Sequence, residues 1–243
     1  MDNYGLVGRR LGHSFSQKFF ENFFKEKGIA ALYSNFEIPD ITQIDTVFRH
    51  ENLRGLNVTV PYKELVIPFL DELSPEAKAI GAVNVIAFRN GKKIGYNSDA
   101  FGFHQSIKPF LTNLHERALI LGTGGSSKAV AHVFKTIGLD VIFASRHPNG
   151  ESEFPYSAVN EHMVNACKVV VNTTPLGMYP DVQSCVPFPF EKLTADHLVI
   201  DLVYNPDKTR FLQQAEANGA TILNGKSMLH EQALRSWDIW NTP

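Results

Sequence analysis

The sequence is short of several things, and each shortage excludes a class of protein. Its 243 residues include only two cysteines, Cys167 and Cys185. Two cysteines make neither a disulfide framework nor a metal-type cluster, which suits a reducing compartment. No metal site and a cytoplasmic location are therefore expected. No apolar run approaches the ~20 residues that a membrane-spanning helix needs, and residues 1–16 lack the apolar core of a secretory signal. Neither sign of charge dominates: Lys and Arg number 23 against 25 Asp and Glu, a formal net charge of -2. No strong field favours nucleic acid or a membrane surface. Internal repeats and low-complexity tracts are missing too. What is present is 44% hydrophobic and 20% charged residues, the balance of a globular protein with a full core. At this length the core belongs to one large domain or two small ones.

The stretch that organises the chain is Ala118–Ala131, ALILGTGGSSKAVA. It reads as a buried strand (Ala118–Leu121), a turn built on Gly122, Gly124 and Gly125, and a helix from Ser126. Glycine lets the chain bend sharply and lets a phosphate approach backbone without meeting a Cβ. The amides and positive dipole end at the helix start suit a pyrophosphate. The pattern is G-x-G-G-x-x-x-A, with Ser127 where the commoner fingerprint has its third glycine. By itself the motif leaves a plain glycine-rich turn open; the strand before it and the helix after it supply the context that makes it count.

In the first half, Tyr4–Gly8 reads as a strand, and Phe19, Phe20, Phe23 and Phe24 recur at helical spacing between Phe15 and Lys27. Ser14 and Ser16 open that helix, either as an N-cap or as two hydroxyls able to hold a carboxylate. Leu32–Ile38 is a strand, followed by a helix of about ten residues from Ile41. Leu56–Val60 is a strand that Pro61 ends while opening a helix. Lys63 then stands on the first turn beyond a strand's carboxyl end, where ligands bind in open α/β sheets; a solvated surface lysine is the alternative. Asn57 and Thr59 read equally well as turn or capping residues. A helix at Pro75–Gly81, a strand at Ala82–Phe88, a hairpin turn at Asn90-Gly91 and a strand at Lys93–Tyr96 follow. Asn84 is a polar residue in an apolar strand and needs a buried partner or a ligand. Asp99 precedes a helical stretch, Ala100–Leu111, and reads as an N-cap or a site residue.

In the second half the glycine-turn helix runs to Thr136, with Gly138 as its C-cap. Strand Asp140–Ala144 ends in Ser145-Arg146-His147. In a dinucleotide fold this position reads the adenosine ribose, an acid favouring NAD and an arginine the 2′-phosphate of NADP. There is no acid until Glu151, so NADP is expected, with Arg146 on the phosphate or adenine. Pro148–Tyr156 and Tyr179–Pro189 read as loops, and Lys168–Asn172, Leu198–Val203 and Ala220–Leu223 as strands, with a helix at Thr209–Asn218. The alternation is that of a doubly wound sheet. A final helix, Lys226–Trp240, carries Met228, Leu229, Ala233, Leu234, Trp237 and Trp240 at helical spacing, and pattern alone turns Gln232 to solvent.

Eight segments in order, HSFS (13–16), NVTVPYK (57–63), GAVN (81–84), NSDAFGF (97–103), GTGGSSKA (122–129), NTTPLGM (172–178), DLVYNP (201–206) and NGKSMLHEQA (224–233), resemble the shikimate dehydrogenase family. The resemblance covers nearly the whole chain. It implies two α/β domains: a substrate domain over residues 1–100, to which the helix 225–243 returns, and a Rossmann-type NADP domain over 101–224, with the active site in the cleft between them. It implies NADP-dependent reduction of 3-dehydroshikimate to shikimate, on the way to chorismate and the aromatic amino acids. Lys63 and Asp99 would be the catalytic pair. Ser14, Ser16 and Tyr204 would hold the substrate carboxylate, and Thr59, Asn84 and Gln232 its hydroxyl and carbonyl region. Gly122, Thr123, Gly124, Gly125, Ser126 and Ser127 would cradle pyrophosphate. Ser145, Arg146 and His147 would take the adenosine end, and Thr173, Met178, Gly225 and Met228 the nicotinamide end. A homodimer is compatible with the family. The chain departs from it at Gln17–Glu21, where the family usually has Pro, His and Asn, and at Gly150, where a second basic residue usually follows. Two alternatives stay open: a quinate/shikimate dehydrogenase with broader substrate and cofactor use, and a non-catalytic sensor of a shikimate-pathway metabolite.

Overall fold

The computed structural model describes residues 1–12 and 15–242. The chain forms two compact units, Met1–Phe101 with Gln232–Pro243, and Gly102–Glu231. Each is a layered α/β arrangement around its own sheet.

The first unit contains β1 (Asp2–Gly8), α1 (Phe15–Lys27), β2 (Ala31–Glu37), α2 (Ile44–Phe48), β3 (Leu53–Val58), α3 (Tyr62–Leu65), β4 (Glu72–Leu73), α4 (Pro75–Ile80), β5 (Val85–Arg89) and β6 (Lys92–Tyr96). α5 (Asp99–Ile107) begins at its end. The strand order is β2-β1-β3-β5-β6-β4. β1 runs parallel to β2 and β3, while β3/β5 and β5/β6 are antiparallel. Both faces are buried, so neighbours along a strand enter different cores. Val7, Leu56, Val58 and Ile86 pack with Ile44, Tyr62 and Val83. Leu6, Tyr4, Val85 and Ala87 pack with Phe20, Phe24, Tyr33 and Trp240. This second core is aromatic: Phe20 stacks on Tyr33 with ring centroids 4.7 Å apart, and the Tyr4 and Trp240 centroids are 4.9 Å apart.

The second unit contains β7 (Arg117–Leu121), α6 (Gly125–Thr136), β8 (Asp140–Ser145), β9 (Glu153–Pro155), α7 (Glu161–Ala166), β10 (Val169–Asn172), β11 (Leu198–Asp201), α8 (Arg210–Ala217) and β12 (Thr221–Leu223). α9 (Lys226–Asn241) closes the chain. All six strands are parallel, in the order β12-β11-β10-β7-β8-β9. The direction of winding reverses between β7 and β10, the switch point at which doubly wound sheets bind ligands. β7, β10 and β11 are almost wholly apolar because helices cover both faces.

Several elements differ from the sequence expectation. The helix from Ile41 is a 3-10 turn, Ile41–Gln43, followed by the five residues of α2. The third strand spans Leu53–Val58 rather than Leu56–Val60, which leaves Thr59 beyond its end. The expected loop Pro148–Tyr156 contains β9, whose three residues complete the sheet edge by pairing with β8. Runs this short carry no periodicity to read.

Candidate active site

The site in the first unit forms where β3, β5 and β6 end or begin. Pro61 precedes α3, which places Lys63 on the first turn after β3. Thr59 is half-buried at the same edge, its N–H donating to Val7 O at 2.9 Å. Gly8 leaves room for it, since a Cβ there would lie 2.6 Å from Thr59 Cγ2. Asn84 enters the sheet through its backbone, its N–H donating to Tyr96 O and its C=O accepting from Val58 N. Its side chain is buried and turned toward the segment after β6.

That segment divides its labour. Asn97, not Asp99, caps α5, its Oδ1 accepting from Ala100 N at 3.1 Å. Asp99 lies in the first helical turn, where the dipole favours a carboxylate, and its own side chain is spent elsewhere. Oδ2 accepts from Lys63 Nζ at 2.6 Å and Oδ1 from Asn84 Nδ2 at 2.8 Å. The carboxylate side chain is 2% exposed and the lysine 13%. The acid is thus sealed at the bottom of the site and the amine leads toward the surface. Gln232 does not face solvent as its helical pattern suggested; it is half-buried, and its Oε1 accepts from Asn84 Nδ2 at 3.2 Å. Lys63, Asn84, Asp99 and Gln232, from four separate stretches of sequence, therefore make one hydrogen-bonded group.

Ser16 is the second residue of α1 and lies beside the Tyr33 hydroxyl. Ser14 lies outside the described residues. The segment that departs from the family pattern is rebuilt around other contacts. Gln17 donates to Glu21 Oε1 at 3.0 Å and accepts from Asn35 Nδ2 at 2.7 Å, while Phe20 is wholly buried against Tyr33 and Trp240.

In the second unit Gly122 follows β7 with φ +107, a backbone state that side chains disfavour, and a Cβ there would lie 2.8 Å from Thr173 Oγ1. Thr173 in turn donates to Leu121 O at 2.8 Å. Thr123 and Gly124 are exposed, and a Cβ on Gly124 would meet nothing within 4 Å. Open space therefore lies over the first turn of α6, of which Gly125 and Ser126 form part, at the positive end of the helix dipole. Ser127 is buried and donates to Gly124 O at 2.5 Å, so a hydroxyl fills the place of the third glycine and ties the turn. At the end of β8 the buried Ser145 hydroxyl has no hydrogen-bond partner among the described residues, a group that a ligand would satisfy. Arg146 and His147 follow it, both exposed. Glycine turn, open space and orphaned hydroxyl fit a dinucleotide.

Other residues of this unit are arranged around β10 and β11. Asp201 is fully buried; it accepts from Asn172 Nδ2 at 3.0 Å, Val203 N at 3.0 Å and Thr209 Oγ1 at 2.6 Å. Burial pushes its carboxyl up to about 6, against the pull of those hydrogen bonds. Sequence reasoning missed Asp201 and Asn172, although each is a polar residue ending an apolar strand, a signal of the kind that singled out Asn84. Tyr204 follows β11, half-buried, its phenol pushed up by burial. Gly225 is required where it stands, since a Cβ would overlap the carbonyl oxygen of Leu202. Met228 is buried and Met178 is 42% exposed.

A charged pair at the floor of a hydrogen-bonding site, carried by a chain with a dinucleotide-type sheet, is the equipment of a nicotinamide-dependent dehydrogenase. The comparisons narrow the class. The shikimate dehydrogenase substrate binding domain matches residues 6–86. The chain is 36% identical over 258 residues to a shikimate dehydrogenase (NADP(+)) of Desulforamulus reducens, covering 97% of this chain and 88% of the relative. The crystal structure of shikimate dehydrogenase from Aquifex aeolicus matches with a TM-score of 0.88 at 32% identity, covering 100% of this chain and 94% of that one. The Thermus thermophilus enzyme in complex with NADP(H) and shikimate matches with a TM-score of 0.86 at 31% identity, covering 99% and 94%. The chain belongs to the shikimate dehydrogenase family.

Proposed function

We propose that this protein reversibly reduces 3-dehydroshikimate to shikimate with NADPH, within the pathway to chorismate. The observation that carries the reading is the Lys63–Asp99 pair, 2.6 Å apart and joined to Asn84 and Gln232. The Gly122–Ser127 turn would hold NADPH, with Ser145, Arg146 and His147 at the adenosine end and Met178 and Met228 toward the nicotinamide, and the cofactor would supply the hydride for the ketone carbon. The residues of the chain manage the rest. Lys63 stabilises the charge that develops on the carbonyl oxygen and gives up a proton to it, so that C=O becomes CH–OH. Asp99 anchors the ammonium and orients it toward the carbonyl oxygen. Ser16, in the first turn of a helix that has no acidic residue there, holds the substrate carboxylate together with Ser14. Thr59, Asn84 and Gln232 fix the ring hydroxyls, which sets the carbonyl over Lys63.

A small-molecule pathway of this kind runs in the cytoplasm, and among the described residues no helix is long and apolar enough to cross a membrane. The test is formation of reduced nicotinamide, followed by absorbance, with shikimate or quinate and with NADP or NAD. Turnover with shikimate and NADP is expected to exceed the other combinations; a faster reaction with quinate and NAD would refute the assignment. Lys63→Ala is expected to cut kcat by ~10²–10⁴, the usual worth of a positioned acid. A Lys63→Ala enzyme with near-normal kcat would remove the lysine from that role.

A further inference from the structure

Behind the catalytic pair, in the same unit, lies a second tier of polar groups that the reaction as described does not use. Ser236, on α9, is wholly buried. Its hydroxyl carries a single proton, which goes to Gln232 O at 2.8 Å, one turn back on the same helix. The oxygen is then left as an acceptor, and two donors reach it. Asn57 Nδ2 lies 2.9 Å away, with the backbone Asn84 O as its other acceptor at 3.3 Å, and Ser98 Oγ lies 3.2 Å away.

Each donor is the end of a chain. On one side Tyr33 donates to Asn57 Oδ1 at 2.8 Å. On the other side Asn84 Nδ2 donates to Ser98 Oγ at 3.0 Å and to Asp99 Oδ1 at 2.8 Å, while Ser98 N donates to Asn84 Oδ1 at 2.6 Å. The two amide hydrogens of Asn84 face three acceptors, Ser98, Asp99 and Gln232. Its orientation is therefore a balance, and the balance depends on where the Ser98 hydroxyl points. With Ser236 as its acceptor, Ser98 turns its proton away from Asn84. Without it, the only other acceptor in reach among the described residues is Asn84 Oδ1 at 3.4 Å, and the amide is drawn off Asp99.

The helix itself does not call for this hydroxyl. Alanine has the higher helix propensity, and a serine bonded back to the preceding turn gains a helix little. A buried, fully connected polar group specifies one arrangement of its neighbours.

We propose that Ser236 is a positioning residue, the hub that joins the Tyr33–Asn57 chain to the Ser98–Asn84 chain and so holds Asp99 against Lys63. The inference rests on the dehydrogenase reading. It is tested on the full-length protein with shikimate and NADP by Ser236→Ala, by Tyr33→Phe, which removes only the far hydroxyl, and by the double variant. Thermal melting and KM for NADP are measured in parallel. Ser236→Ala is expected to lose about 10- to 100-fold in kcat, the cost of a small misplacement at the reacting atoms, with KM for NADP unchanged. Tyr33→Phe is expected to lose less kcat, and the double variant no more than Ser236→Ala alone, because the two act through one chain. A folded Ser236→Ala enzyme with kcat within about twofold of the parent, or losses that simply multiply, would overturn the proposal. If Ser236→Ala does not fold, Tyr33→Phe decides: a loss of kcat supports the hub, and an effect on KM for shikimate alone overturns it. An inactive parent enzyme would instead refute the dehydrogenase reading.

Discussion

Asp201→Asn is expected to change how the stability of the protein depends on pH. The carboxyl ends β11 with no exposure to solvent, and three donors, from Asn172, Val203 and Thr209, converge on it. Removing it from water raises its value from 3.8 to about 6, so burial outweighs the three donors. Since the folded value lies above the unfolded one, folding favours the protonated acid. The contribution of Asp201 to stability is complete below the unfolded value near 4, falls as pH rises toward 6, and is gone above it. A rise of this size corresponds to about 3 kcal/mol. Exposed carboxylates oppose it; Asp71, held low chiefly by the Lys93 backbone N–H, gains stability over a lower range. The informative quantity is thus the difference between variant and parent. Asparagine keeps an oxygen for Asn172 and Val203 and offers an N–H to Thr209 Oγ1, but it cannot ionise. Urea unfolding of both proteins at several pH values should show the variant gaining on the parent by about 3 kcal/mol between roughly pH 4 and pH 8. A gap that does not change with pH would refute the reasoning, because it would mean that Asp201 has the same proton affinity folded and unfolded.

Two glycines give further predictions. Gly122→Ala should place a methyl 2.8 Å from Thr173 Oγ1 at a positive φ. The strain is on the order of 1–3 kcal/mol, and calorimetry should show NADP binding weakened at least about tenfold while shikimate still binds; unaltered NADP affinity would disprove the role of the turn. Gly55→Ala would drive a methyl into the Trp240 ring, whose Nε1 is held on Ile86 O at 3.1 Å. Overpacking of this kind costs about 1–3 kcal/mol, seen as a lower melting temperature, and an unchanged melt would show that Trp240 yields freely.

The aromatic face of α1, the Asn90-Gly91 hairpin, the glycine turn after β7 and the apolar parallel strands were all legible in the chain. Each rests on local chemistry: helical spacing, a turn that requires positive φ, or strands covered on both faces. Lys63 could be placed at a strand end for the same reason. The uses of the polar residues were not legible. Local sequence left Asp99 open between a site role and the N-cap role that Asn97 performs, and gave Gln232 a solvent position that Asn84 forbids. Ser236 and Ser98 carried no local mark at all. A helix cap or a turn is settled within a few residues, whereas a buried hydrogen bond depends on which distant atoms the fold brings within about 3 Å. The sequence by itself therefore determined the longer elements, the dinucleotide-type turn and the family. Only the tertiary structure decided that Asn84 and Lys63 share the two oxygens of Asp99, because a carboxylate sealed from water must take its partners from wherever the packed chain supplies them.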